Sequence, residues 1–520
     1  MELPPYPNSG IRPPMEEASP PQQPAVTRTD VARGAGLAGL SRMGALIEAL
    51  AQPLYTWLFG IANYGLYVVL WGAVSLATNF VHLSMPLALQ REVPAQDEAG
   101  AHGAVKLALL IALVPTVLIA LGVTLAAPQV ATLFSAAPQD QARLPQAVAL
   151  FVWALPLWTF VEVATSAARA RRAFGPEIRL RIFWEQIARI LFALGFFALG
   201  AGSLGLMAAH LCSLAMTALL SVRLLGRYYD LGLLLRAPLP PRLVRDLILS
   251  GLGLLPSNLA RRALIDGPPV ALNLMLAGAG GAAAAGLFEI ARKLSTVPLI
   301  VRQAFQYVLG PLSSAQAAAD RAGIAALYHF ASRVSTALVT PLAGLLIFAG
   351  ADILSIYRPE ARSALPLLFI LVGARAAEAI VGPASAIVEM IGHRVLPSVN
   401  ACIAIALWLG LAWWLVPVEG PLGMAVATGL ATIASTYAAT IELQVSDGLN
   451  PFDRKLLQGL ALALAGIALM AVAERLLQGP ARFAACLTIW AGTSWLTLRY
   501  GLGRDDRLAL GGVSRRLGLV

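Results

Sequence analysis

Charged side chains stand inside stretches of this chain that are otherwise apolar, and they fall into two arrangements. The first is the one-turn pair: Glu185 with Arg189, Arg262 with Asp266, and Arg375 with Glu378. Residues three or four apart share a helix face, so each pair neutralises itself locally. The second is a cationic surplus. Arg261, Arg262, Arg292, Lys293 and Arg302 oppose only Asp266 and Glu289 in two successive segments. Local pairing leaves three positive charges over. Such a surplus either snorkels to a surface or lines a wet cavity that receives anions. The planar fork of arginine matches phosphate oxygens, so these five residues are the candidate anion site. Glu48, Glu162, Asp266, Glu289 and Glu378 are the candidate ion-coupling groups, because a carboxyl in a low-dielectric site is suited to carry a proton or cation.

Other chemistries lack their residues. No GxxxxGK is present, so no phosphate-cradling loop for ATP is expected. HExxH, GxSxG and the EF-hand loop are missing as well. His82, His102, His210, His329 and His393 are dispersed without ligand spacing and read as packed or interfacial groups. Cys212, Cys402 and Cys486 lie singly in apolar stretches, so neither zinc nor a disulfide framework is expected. No metal and no cofactor is expected, and no catalytic site.

The elements that must position the charges are long and apolar. Apolar residues make up 58% of the 520 positions and charged residues 13%, and the mean hydropathy is +0.72. A bilayer core about 30 Å thick needs a helix of roughly 20 apolar residues. Fourteen segments meet that need: 36–58, 63–89, 104–126, 146–168, 182–201, 204–225, 247–276, 284–310, 327–350, 363–386, 396–416, 421–442, 456–474 and 482–499. They are continuous runs and not ten-residue alternations, so helices are expected and not a barrel. Asp266-Gly-Pro-Pro269 falls inside the seventh, where two prolines should kink or interrupt the helix and expose backbone dipoles.

Basic residues orient the spans. With the first residue in the cytoplasm and each span crossing, 26 Lys and Arg fall on the cytoplasmic side and 5 on the other. Residues 169–181 and 223–245 contribute five arginines each, and the second cluster divides the chain. That asymmetry predicts both ends inside and an even number of spans. It also accounts for the net charge of +10 without nucleic acid. Residues 1–30, with eight prolines, have the composition of a disordered tail.

The two halves look alike. Phe59-Gly-Ile-Ala-Asn-Tyr-Gly-Leu-Tyr67 opens the second span, and Gly286-Leu-Phe-Glu-Ile-Ala-Arg-Lys-Leu294 the eighth. Aligning Gly65 with Gly286 gives an offset of 221 residues. Repeated halves set a substrate site at their interface near the bilayer midplane. These runs, with the basic entry Arg33-Gly-Ala-Gly-Leu37 and the later Pro311-Leu-Ser-Ser314, are similar to the signatures of polysaccharide flippases. Over residues 31–500 the chain resembles the Wzx-type polysaccharide transporter branch of the multidrug/oligosaccharidyl-lipid/polysaccharide exporter (MOP) superfamily.

The resemblance implies an all-α integral membrane protein of about 14 transmembrane helices. A six-helix lobe is expected over 31–230 and a second over 231–445. Helices 13 and 14 follow over 446–500, then a basic cytoplasmic tail over 501–520. It implies a bacterial inner-membrane flippase that moves a polyprenyl-pyrophosphate-linked oligosaccharide by alternating access, for exopolysaccharide or lipopolysaccharide synthesis. Its expected partners are that lipid-linked oligosaccharide and the membrane lipids, with a polysaccharide polymerase and glycosyltransferases beside it. The alternatives within the superfamily are a lipid II flippase and a cation-coupled drug antiporter. A membrane glycosyltransferase or polymerase would need a large catalytic loop, and the stretches 127–145 and 351–362 are too short for one.

Overall fold

The computed structural model describes residues 43–171, 173, 178–276, 279–299, 321–391 and 396–519. The proline-rich tail, Arg302 and the 311–314 motif lie outside them. The described residues are helical and contain no strand. The first group comprises α1 (Met43–Phe59), α2 (Ile61–Val81), α3 (Met85–Glu92), α4 (Glu98–Leu125), α5 (Leu144–Phe151) and α6 (Ala154–Ala170). A π-helical stretch, Ile178–Trp184, leads into α7 (Glu185–Ala198), and α8 (Gly205–Tyr228) closes the group. The second comprises α9 (Pro241–Met275), α10 (Ala279–Thr296), α11 (Arg321–Phe348), α12 (Leu365–Ile380), α13 (Ala384–Ile391), α14 (Leu396–Glu419) and α15 (Pro421–Asp447). Then come α16 (Arg454–Leu476), α17 (Gly479–Tyr500) and two short helices, α18 (Arg504–Ala509) and α19 (Gly512–Arg516).

Ten helical stretches among the described residues are long and apolar enough to cross a membrane. The remaining four of the fourteen segments are helical at α1, α7, α10 and α17 but fall short of that length and composition. In α10 the reason is Glu289, Arg292 and Lys293. The expected break at Asp266-Gly-Pro-Pro269 does not occur: α9 runs unbroken for 35 residues through Pro256, Pro268 and Pro269. Each proline forfeits one backbone bond, and packing holds the helix together. Gly267 abuts Trp408 of α14 so closely that a Cβ there would sit 2.8 Å from the indole, and Gly267, Pro268 and Pro269 are all buried.

Turns are set by local chemistry. Gly60, at φ +85°, lets α1 reverse into α2 within one residue, a conformation that L side chains avoid. Asp97 caps α4 by accepting the Gly100 N–H at 2.8 Å, and Asp453 caps α16 by accepting that of Leu456 at 2.9 Å.

The two groups meet along α2. It packs on α9 and α10 to a similar extent, approaching α10 most closely at Gly65 and α9 at Gly72. The α2–α10 crossing has no room for side chains. A Cβ on Gly65 would lie 1.8 Å from the Ala282 carbonyl oxygen, and one on Gly286 would lie 3.2 Å from the Gly65 Cα. The groups are also tied at that end of the bundle. Trp57 donates its indole N–H to the Ile356 carbonyl at 2.8 Å, and the Arg358 guanidinium lies 5.6 Å from the Trp57 ring centre. Asn273 accepts the Ser135 N–H and donates to the Ser135 carbonyl, both at 2.9 Å.

The last two long helices pack against α11. Arg482 of α17 pairs with Asp352 at 2.6 Å. Arg333 of α11 binds both Asp453 and Asp506. The segment after α17 folds back, with the Trp495 indole donating to the Leu517 carbonyl at 2.9 Å and Leu519 fully buried.

Candidate functional site

A small cavity of about 50 Å³ lies where α1, α2, α7, α9 and α10 converge. Helix α1 contributes Gln52 and Tyr55, and α2 contributes Tyr64, Tyr67 and Trp71 from one face. Arg189 enters from α7, Asp266 from α9, and Glu289, Arg292 and Lys293 from α10. Helix α2 can line a wall so closely because it is thinned elsewhere: at Gly72 a Cβ would sit 2.8 Å from the Asp266 carbonyl oxygen.

Three charge clusters border this space. On α10, Arg292 grips Glu289 through two parallel bonds, Nε to Oε2 at 2.7 Å and Nη2 to Oε1 at 2.6 Å. Both residues are buried, and such a fork-to-fork pair is the strong kind of charge-assisted contact. On α7, Glu185 and Arg189 pair at 2.5 Å, also buried. Arg189 reaches the Tyr67 hydroxyl at 3.4 Å, and that hydroxyl lies 3.0 Å from His210 Nδ1. On α9, Asp266 accepts the Ser75 hydroxyl at 2.6 Å and lies 3.8 Å from Arg262.

Arg262 also turns away from the cavity, toward Glu162 of α6 at 3.6 Å. The Glu162 carboxylate is buried among three basic groups, with His82 Nε2 at 3.4 Å and Arg181 at 3.9 Å as the other two. Arg181 in turn lies 4.3 Å from the Trp158 ring centre. A polar line thus runs from Glu162 through Arg262 to Asp266 at the cavity wall. Among the described residues no group of three or more His, Cys, Asp or Glu is suited to hold a metal ion.

The ten residues predicted from sequence are therefore dispersed. Arg292, Lys293, Asp266 and Glu289 line the cavity. Arg262 and Glu162 stand one contact behind it. Arg261 is exposed and reaches only Asn258, at 3.4 Å, among its recorded partners. Glu378 is buried against Arg375 at 2.6 Å on α12, away from the lining. Glu48 falls in α1 with its side chain outside the described ones, and Arg302 is outside altogether. The expected surplus of three positive charges is smaller than spacing suggests, because Glu162 reaches Arg262 from another helix. Nothing in sequence spacing reveals such a partner. Sequence reasoning also missed Gln52, Tyr55 and the Tyr64, Tyr67, Trp71 face. The i, i+3, i+7 spacing of the last three was the available signal.

A family model described as polysaccharide biosynthesis protein matches residues 31–316, more than half of the chain. The chain belongs to that family. Its model ends just beyond α10, so it spans every helix that lines the cavity. No curated protein matches the sequence. Among solved structures the fold is similar to the lipid II flippase MurJ in an inward closed conformation, with a TM-score of 0.68 at 11% identity over 90% of this chain and 97% of that one. It is also similar to a MOP superfamily transporter from Pyrococcus furiosus, with a TM-score of 0.58 at 14% identity over 81% and 99%. A Vibrio cholerae MATE transporter, VcmN, gives 0.55 at 13% identity over 81% and 98%. At these identities the likeness is one of fold: the chain is a helical bundle of the shape these transporters share.

Proposed function

We propose that this protein flips a polyprenyl-pyrophosphate-linked oligosaccharide across the bacterial inner membrane by alternating access. The observation that carries the reading is the cavity at the junction of the two helix groups. Its lining holds three cations, Arg189, Arg292 and Lys293, against two carboxylates, Asp266 and Glu289. Arg189 is already paired with Glu185, so Arg292 and Lys293 are the cations that this reading offers to an anionic headgroup. Tyr55, Tyr64, Tyr67 and Trp71 add aromatic faces with polar edges, surfaces suited to sugar rings as well as to lipid. Arg261 and Arg302 remain proposed contacts along the route of the cargo. Glu48, Glu162, Asp266, Glu289 and Glu378 are the proposed groups for coupling to an ion gradient. The protein is read as a transporter without catalysis, with lobes over 31–230 and 231–445, both termini cytoplasmic, and polymerase and glycosyltransferases as neighbours.

The test is a reconstituted flipping assay. The full chain is placed in vesicles with a fluorescent polyprenyl-diphosphate oligosaccharide, and a membrane-impermeant quencher reads the leaflet. The protein should accelerate loss of protection well above empty vesicles. A rate equal to that of empty vesicles overturns the reading, and a rate seen only with lipid II replaces the cargo with that molecule.

A further inference from the structure

Arg292 is the cavity cation best shaped for a phosphate, and its fork is already filled. Glu289, one turn earlier on the same helix, occupies it with both oxygens at 2.6 and 2.7 Å. The pair sits in the cavity lining, beside Lys293 and facing Arg189 and Asp266 from α7 and α9. A structural ion pair of this quality is ordinarily sealed in a core. This one lines the wall of a cavity instead.

We infer that Glu289 is a resident counter-ion that holds Arg292 in the empty protein and yields it when a diphosphate enters the cavity. The inference deepens the proposed function and rests on it. A carboxylate and a phosphate offer arginine the same bidentate geometry, so the two compete for one fork. The carboxylate is tethered and therefore present at high effective concentration. It keeps a buried guanidinium from standing unpaired in the empty state, which would be costly. A diphosphate carries more charge and reaches Lys293 as well, so it displaces the tether. Affinity in the native protein is then lower than the cations alone would give. For a transporter that is useful, because cargo held too tightly is not released.

The experiment is equilibrium binding to the purified full chain in detergent, read by calorimetry, with inorganic pyrophosphate and farnesyl diphosphate as probes. Glu289→Gln should bind both about tenfold more tightly, a change of about 1.4 kcal/mol. Arg292→Ala should lose binding, and adding Glu289→Gln to it should restore nothing. Tighter binding of farnesyl diphosphate than of pyrophosphate identifies the source as a lipid headgroup, and equal affinity identifies free diphosphate. Should Glu289→Gln fail to fold, Glu289→Asp retains the charge but shortens the reach, and it should bind more tightly by a smaller factor. If the wild type binds the probes and neither variant gains affinity, the counter-ion role is wrong and the headgroup site stands. If no form binds either probe, the diphosphate reading of the cavity fails with it.

Discussion

Arg262 of α9 and Glu162 of α6 meet at 3.6 Å across the contact between the two helix groups. The same guanidinium lies 3.8 Å from Asp266, which lines the cavity. One side chain therefore connects a carboxylate deep in the first group to a carboxylate that lines the cavity. An arginine shared between two acids is sensitive to either: whatever neutralises Asp266 frees Arg262 for Glu162, and the reverse.

Arg262→Ala should weaken this junction without unfolding the protein. Glu162 keeps His82 and Arg181 as partners, so the loss resembles an unsatisfied polar contact, roughly 1–3 kcal/mol, and not an orphaned buried ion. Thermal unfolding in detergent should show a drop of a few degrees. A double-mutant comparison with Glu162→Gln should reveal strong non-additivity. Additive losses would mean that the two side chains do not act together.

Gly65→Ala and Gly286→Ala should each impair transport more than the loss of any surface residue. The added methyl has nowhere to go, since the nearest atoms belong to backbone: 1.8 Å from the Ala282 oxygen in one case and 2.6 Å from the Ile61 oxygen in the other. Separation of α2 from α10 would widen the cavity at the end tied by Trp57 and Ile356. Cysteine accessibility from that side, measured at Tyr64, should rise in both variants. Unchanged labelling together with normal flipping would show that the crossing tolerates a side chain.

Transport should be driven by an ion gradient or by substrate flux and not by ATP bound to this chain; if by a gradient, the carriers lie among the interior carboxylates. In reconstituted vesicles, collapse of proton and sodium gradients should then abolish net accumulation. Glu→Gln at Glu48, Glu162 and Glu289 should reveal the carrier. If gradients matter and none of the three changes anything, coupling passes to Asp266 or Glu378. Accumulation that persists without gradients removes carboxylate coupling from the mechanism.

Stability should fall in mild acid through Asp453, which lies outside the spans. Burial alone would raise its carboxyl, but hydrogen bonds from Arg333 and the Leu456 N–H outweigh that and hold it below the ordinary carboxylate range. A depressed native pKa means stability that is fully present above the unfolded value and lost as pH falls through the native one. Asp453→Asn should lower the unfolding temperature at pH 7 and flatten its decline between roughly pH 4 and 3. An equal decline in both proteins would exclude this pair as a source of acid sensitivity.

Reporter fusions at residues 30 and 510 should both read cytoplasmic, as the 26 to 5 distribution of basic residues requires. Readings on opposite sides would demand an odd number of spans.

The sequence conveyed some of this well and some of it not at all. Helices and their order were legible because lipid leaves the backbone few alternatives and apolar length is a one-dimensional property. Pairs such as Glu185–Arg189 and Arg375–Glu378 were legible because spacing alone brings them together. Glu162 with Arg262, and Arg333 with Asp453 and Asp506, were not, since those partners come from helices whose rotation only packing decides. The prolines of α9 misled for a related reason: their local cost was visible, but the contact of Gly267 with Trp408 that accompanies the unbroken helix was not. Arg261 and Arg262 look equivalent in sequence, yet one turn angle separates an exposed arginine from the one that joins two groups.

The crossing of α2 and α10 also has a symmetry. On the alignment of halves read from the sequence, Gly65 and Gly286 correspond, 221 residues apart, and they touch each other. Equivalent residues touch in this manner only where a two-fold rotation axis passes between them, as at the centre of an isologous dimer. On that alignment the contact has the form of a self-complementary patch between two half-length units. At the axis any change to one glycine is felt by its own counterpart.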